Sequence, residues 1–180
     1  MSKAALFLID GFEETEAVVT IDLLRRAGVE VSVVSLTGKI TVPGKHAISI
    51  NADILFDEIK DKTFDMLIIP GGTINYMDHE GLVELVKKQH NAGQKLAAIC
   101  AAPAVFGKAG ILDGYKAVIF PGMTEYLGKG AVYTETNVIT DRNITTGRGP
   151  AAAMLFGAEL IGILEGKEVM EQVKKKFLLD

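Results

Sequence analysis

One residue in this chain has the surroundings that a nucleophile needs. Cys100 is the only cysteine in 180 residues. It ends the apolar run Leu96-Ala97-Ala98-Ile99 and is followed by Ala101, Ala102 and Pro103, then by Ala104-Val105-Phe106. A short continuous apolar run is the signature of a strand buried on both faces of a parallel sheet. The pattern reads strand, sharp turn, helix, which is the layout of a nucleophile elbow: small neighbours let the backbone bend and a substrate approach. The N-terminus of the following helix carries partial positive charge and unpaired N–H groups, and both favour a thiolate. The plainer reading is a small buried hydrophobe, as most lone cysteines are. Solvent and ligands reach the C-terminal ends of strands in open α/β sheets, which favours the reactive reading.

Two further segments carry chemistry. Glu13-Glu14-Thr15-Glu16 opens a helix directly after a strand and turn. Acids in a first helical turn complement the helix dipole, and one of them can also reach the crevice at the strand ends. Pro70-Gly71-Gly72 closes a second apolar strand. Two glycines there form a tight turn, and they free backbone N–H groups to point at a ligand oxygen, as in an oxyanion hole. A thiolate, an acid and backbone donors together make a cysteine site. No histidine stands beside them: His46 lies in a hairpin, His79 before a helix and His90 at a helix C-terminus. With one cysteine and no HxxxH pair, neither a CxxC centre nor a zinc site is expected.

The elements that must position these groups follow from periodicity. Residues 4–9 form a buried strand, 10–12 a turn, and 13–27 a helix capped by Gly28. Residues 29–36 form a second strand, and Val42-Pro43-Gly44-Lys45-His46 is a turn between two short ones. Residues 51–64 are polar and irregular, with a helical turn at Asp57-Glu58-Ile59; 65–69 is a third buried strand and 80–90 an amphipathic helix. After the elbow come a helix over 104–109, a strand over 116–120 ending at Pro121, and short strands at 131–133, 137–140 and 144–146. Gly147-Arg148-Gly149-Pro150 leads into helices over 151–164 and 168–178. Strands alternating with helices imply right-handed βαβ units and a mostly parallel sheet covered on both faces. No linker, repeat or low-complexity segment interrupts residues 1–180, so one domain is expected.

Composition narrows the function. Hydrophobic residues make up 48% and charged residues 23%, ordinary for a globular protein. A net charge of −4, with no basic run longer than Lys174-Lys175-Lys176, argues against a nucleic-acid partner. No signal peptide and no 18-residue apolar run are visible, so no membrane span is expected. The single cysteine suits a reducing cytoplasm. GxGxxG and Walker glycines are absent, which disfavours a nucleotide.

Five motifs in register carry a resemblance over essentially the whole chain. Glu13-Glu14-Thr15-Glu16, Leu23-Leu24-Arg25-Arg26-Ala27-Gly28, Ile69-Pro70-Gly71-Gly72, Ala98-Ile99-Cys100-Ala101-Ala102-Pro103 and Thr146-Gly147-Arg148-Gly149-Pro150 together resemble the DJ-1/ThiJ/PfpI family, and most closely its DJ-1 branch with bacterial ThiJ/YajL-type members. The resemblance implies a flavodoxin-like three-layer sandwich, a homodimer and no cofactor. It implies that Cys100 is the reactive cysteine and that a protonated Glu16 hydrogen-bonds its sulfur, with a raised carboxyl pKa. Gly72 and Ala101 match the backbone donors to a bound oxyanion. Gly71, Phe120 and Pro121 fall at pocket positions, Arg26 and His46 fall where family members place basic groups near the dimer interface and pocket, and Arg148 braces the loop before the long helix. Two departures stand out. Ala101 occupies the place of the histidine that follows the cysteine in protease-like members, which removes the base for peptide cleavage. Phe120 occupies the place of a pocket histidine in the animal branch. The implied activity is conversion of methylglyoxal-type dicarbonyls, or their adducts with thiols and amines, to hydroxy acids. The alternative is a peroxide sensor or redox-regulated chaperone acting through Cys100 oxidation. No thiazole-binding motif is present.

Overall fold

The computed structural model describes residues 1–179. In chain order its elements are β1 (Lys3–Leu8), α1 (Glu14–Arg26), β2 (Glu30–Ser35), β3 (Thr41–Pro43), β4 (Ser49–Asn51), β5 (Ile54–Leu55) and β6 (Met66–Ile69). There follow α2 (Glu80–Asn91), β7 (Lys95–Ile99), α3 (Pro103–Ala109), β8 (Lys116–Ala117), β9 (Val132–Tyr133), β10 (Val138–Asp141), β11 (Ile144–Gly147), α4 (Ala153–Glu165) and α5 (Lys167–Phe177).

Seven strands form the central sheet in the order β10-β11-β7-β6-β1-β2-β5. All neighbours run parallel except β10 against β11. The inner strands are apolar on both faces because both faces are covered: Leu6, Phe7, Leu8, Met66 to Ile69 and Leu96 to Ile99 are essentially without exposure. The β1-α1-β2 crossover moves one way across the sheet and the β6-α2-β7 crossover the other. Right-handed crossovers in opposite directions put their helices on opposite faces. Accordingly α1 packs on α4 and α4 on α5, while α2 packs on α3. This is the flavodoxin-like sandwich expected. The direction changes between β1 and β6, so the crevice at their C-terminal ends is the natural ligand site of such a sheet.

Three departures from the sequence expectation have physical causes. The run 116–120 is not a strand of the sheet. Only Lys116 and Ala117 pair, and they pair with β9 in a separate two-stranded ladder. Val118 donates its N–H to Thr146 Oγ1 at 2.9 Å and Phe120 to the Cys100 carbonyl at 2.9 Å, so this segment is laid along the elbow. The irregular stretch after residue 51 contains β5, which closes one edge of the sheet through two residue pairs. The long apolar helix starts at Ala153, after a 3-10 turn over Pro150–Ala152. The hairpin of β3 and β4 forms as expected and is antiparallel. His79 caps α2, its ring Nδ1 accepting the Leu82 N–H at 3.0 Å.

Candidate active site

The elbow is built by holding a non-glycine residue in the left-handed region. Cys100 has φ +63°, a conformation that costs an L-residue roughly 1–2 kcal/mol. Hydrogen bonds on both sides keep it there: its N–H donates to the Gly147 carbonyl at 2.9 Å, and its carbonyl accepts from Phe120 N–H at 2.9 Å. The result points the sulfur off the end of β7 into the crevice, with the residue only 7% exposed.

Glu16 enters from the first turn of α1 and is completely buried. Its Oε2 accepts the Gly71 N–H at 2.6 Å. Among the described residues its Oε1 has no hydrogen-bond partner, and the Cys100 thiol is a titratable group that interacts with the carboxyl. The other two acids of the motif do different work. Glu13 caps α1, accepting the Glu16 N–H at 2.8 Å. Glu14 turns outward to the β3–β4 hairpin, where it accepts the His46 N–H at 2.6 Å and lies 3.0 Å from His46 Nδ1. Gly71 must be glycine because a Cβ there would lie 2.6 Å from Cys100 Cβ and 2.8 Å from Glu16 Oε2. The N–H groups of Gly72 and Ala101 both favour the charged form of the sulfur.

The electrostatics of the pair are set by burial. Burial raises the Glu16 carboxyl to about 7, the Glu13 charge adds to the rise, and the Gly71 N–H and Lys45 oppose it. Burial and then the Glu16 charge push the Cys100 thiol up to about 12, against the N–H groups of Gly72 and Ala101. This corrects the expectation that the next helix stabilises a thiolate. α3 opens with Pro103, which has no N–H to offer, and desolvation outweighs the donors that remain. The pair loses its first proton as a unit. A thiolate forms when Glu16 keeps its proton, because the repelling charge is then gone and the carboxyl O–H can donate to sulfur. A raised carboxyl pKa also weakens the fold at high pH. The folded chain binds this proton more tightly (about 7) than an ordinary carboxyl (4.5), so the contribution is complete below 4.5 and lost as pH rises through 7, about 3 kcal/mol in all. Glu16→Gln is therefore expected to match the parent in stability near pH 4.5 and exceed it by about 3 kcal/mol at pH 8.5 in urea unfolding. An equal difference at both pH values would contradict the buried carboxyl.

The remaining sequence candidates separate. Phe120 is 43% exposed and, with Pro121, Asn137, Arg148 and Gly149, lines a cavity of about 200 Å³ beside the elbow. Arg148 reaches Glu135 Oε1 at 3.5 Å, and its N–H donates to the Asn137 carbonyl, bracing the loop before α4. Arg26 is not in the pocket. It sits in the last turn of α1, paired with Asp22 at 2.8 Å and stacked over Phe177, ten residues and about 15 Å of helix beyond Glu16. His46 flanks the site through its contact with Glu14. One group at the crevice had no signal in the sequence. Lys45 Nζ donates to the Gly72 carbonyl at 3.1 Å, although it reads there as a turn residue. Glu13, Glu14 and His46 bring ligand atoms within 4.8 Å of one another, and the helix cap and the ion pair account for that cluster. A cavity of about 500 Å³, lined by Lys3, Lys62, Phe64 and Gln89, lies at the opposite end of the sheet from the thiol.

Fold and site together define a flavodoxin-like protein with a buried cysteine at a strained strand-to-helix elbow. Residues 2–162 match the model of the DJ-1/PfpI family, and the chain belongs to that family. It is 35% identical over 184 residues to Protein dj-1beta of Drosophila melanogaster, covering 99% of this chain and 98% of that one. The crystal structure of Drosophila DJ-1beta superposes over the full length of both chains with a TM-score of 0.95 at 34% identity. Protein DJ-1 homolog B of Arabidopsis thaliana is 39% identical over 175 residues, which span 95% of this chain but only 40% of that protein. A protein of Pyrococcus abyssi named as a deglycase is 30% identical over 166 residues, 91% of this chain and 99% of that one. Among the described residues no helix is long and apolar enough to cross a membrane.

Proposed function

We propose that the chain is a cofactor-independent glyoxalase and deglycase of carbonyl-stress defence, acting through Cys100 on methylglyoxal-type dicarbonyls or on their adducts with thiols and amines. The observation that carries this reading is one cluster: a cysteine held at φ +63° with the Glu16 carboxyl and the N–H groups of Gly72 and Ala101 around its sulfur. The name of the Pyrococcus relative supports the same class. The Cys100 thiolate adds to the aldehyde carbon; a C–S bond forms and the carbonyl electron pair moves to oxygen, which the Gly72 and Ala101 N–H groups receive. Glu16 gives its proton to that oxygen, completing the hemithioacetal, and then as a carboxylate takes the proton from that carbon and returns it to the neighbouring one, turning the hemithioacetal into a thioester without net oxidation. Water hydrolyses the thioester to lactate and restores the thiol. The active form is a homodimer in a reducing cytoplasm. α1 and α4 pack together and leave Val18, Met154 and Leu155 exposed, an apolar face that a second copy would cover.

The test is lactate formed from methylglyoxal in thiol-free buffer with metals chelated. The wild type is expected to turn over and Glu16→Gln to lose at least about 100-fold in kcat, since Gln cannot move a proton. A Glu16→Gln variant with full activity would remove Glu16 from the mechanism.

One observation favours a second reading. Glu16 Oε1 is buried and unpartnered, and a carboxyl O–H there, with two backbone N–H groups, offers three donors to oxygens added to sulfur. In that reading the chain is a peroxide sensor or redox-regulated chaperone whose output is a Cys100 sulfinate. Stable addition of two oxygens at Cys100 under low peroxide, without dicarbonyl turnover, would select it.

A further inference from the structure

The glycine pair after β6 has four backbone polar groups, and three of them are held by different contacts. Gly71 N–H donates to Glu16 Oε2 at 2.6 Å, and the Gly71 carbonyl accepts from Glu13 N–H at 2.9 Å. Gly72 N–H is a donor that favours the Cys100 thiolate. The Gly72 carbonyl is held by Lys45 Nζ at 3.1 Å, and among the described residues no backbone N–H donates to it. Gly72 stands at φ +97° with no side chain to anchor it, so its carbonyl contact restrains the peptide that carries the oxyanion donor. The lysine is itself delivered by a fixed support. The β3–β4 hairpin is pinned to the turn between β1 and α1 by Gly11 N–H to the Pro43 carbonyl, Lys45 N–H to the Phe12 carbonyl and His46 N–H to Glu14 Oε1, at 2.9, 2.9 and 2.6 Å.

We propose that Lys45 is a positioning residue of the Cys100 site: its ammonium clamps the Gly72 carbonyl, keeps the Gly72 N–H on the sulfur and on the oxyanion formed there, and sets a fixed positive charge near the buried Glu16 carboxyl. The inference rests on the Cys100 chemistry proposed above. The charged and titratable groups around the pair are Glu13, Glu14 and Glu16 from α1, Lys45 and His46 from the hairpin, Tyr76 from the 3-10 turn over Asn75–Asp78, and Cys100 itself. Of these only Lys45 bears an alkylammonium group. It favours every state in which the pair has lost a proton, whether the charge rests on carboxylate or thiolate. The lysine also opposes the rise of the Glu16 carboxyl.

The experiment measures the rate of Cys100 alkylation by iodoacetamide from pH 5.5 to 10 in the wild type, Lys45→Met, Lys45→Gln and Lys45→Arg. Removing the charge is expected to move the midpoint of the profile up by about half a pH unit and slow alkylation at pH 7 about threefold, with Lys45→Arg close to wild type. The difference is expected to shrink in 1 M salt, where screening is strong. In methylglyoxal turnover, Lys45→Met is expected to lower kcat about tenfold and leave KM within twofold, because the clamp serves the oxyanion rather than the ground state. A lysine that only pins the hairpin would lower the unfolding midpoint and leave the alkylation profile unchanged; that result in Lys45→Met and Lys45→Gln overturns the proposal. If the wild type forms no lactate, the glyoxalase reading fails while the alkylation profile still decides the role of Lys45.

Discussion

Cys100→Ala is expected to lose lactate formation from methylglyoxal by three orders of magnitude or more, on the scale of losses from deleting other enzymatic nucleophiles. The loss belongs to the missing sulfur and not to a damaged fold. Alanine keeps the Cβ, fits where the cysteine fitted and inherits the same φ of +63°. Cys100→Gly separates the two contributions: it is expected to be equally inactive but about 1 kcal/mol more stable than Cys100→Ala, because glycine adopts the left-handed conformation without strain. Lactate assays with metals chelated, beside urea unfolding of both variants, read the two effects independently. Full turnover in Cys100→Ala would move the chemistry elsewhere in the molecule.

The largest effect on stability is expected at the glycine pair. At Gly72, with φ +97°, an alanine Cβ would run into the backbone of Gly11, Phe12 and Glu13, lying 2.6 Å from the Phe12 carbonyl carbon. That backbone cannot step aside cheaply. Glu13 N–H is bonded to the Gly71 carbonyl, and the Glu13 side chain caps α1. Backbone strain and collision together place the cost of Gly72→Ala at about 3–5 kcal/mol. Gly71→Ala meets mainly side-chain atoms of Cys100 and Glu16, so about 2 kcal/mol is expected, with most of the damage falling on activity. Urea midpoints of the two variants should therefore rank Gly72→Ala as the weaker. A Gly72→Ala variant as stable as the wild type would mean that the strand β6 turn is not packed against the β1–α1 turn.

The inner strands were legible because burial on both faces writes itself as a continuous apolar run, as in Leu96 to Ile99. The same signal misled at Val118-Ile119-Phe120. Apolar character reports burial, and Val118 and Ile119 are buried, but it does not report pairing, and these residues bond to Thr146 and Cys100 instead of to a neighbouring strand. The two-residue β5 is too short to carry a period. At the site, Cys100 and the Gly71-Gly72 turn were readable from local sequence, since an elbow and a close approach each demand particular residue types. Which of three acids turns inward was not. Glu13, Glu14 and Glu16 share one helical turn, and their destinations (cap, hairpin and thiol) depend on what lies across space from each. Lys45 was invisible for the same reason, because its partner carbonyl is 27 residues away. Arg26 entered through family resemblance, and the length of α1 carries it away from the crevice.

The position of β7 in the sheet also has a consequence for the order of assembly. Its strand lies between β6, made before it, and β11, made some 45 residues later. The contact that fixes the Cys100 N–H is to Gly147, the last residue of β11. During synthesis the thiol, Glu16 and the glycine turn all leave the ribosome while one edge of β7 is still unpaired. That edge is apolar and open to another chain until residues 144–147 dock. Closing it requires non-local parallel pairing, which is slow. The reactive group is therefore finished late, at the seam between β7 and β11.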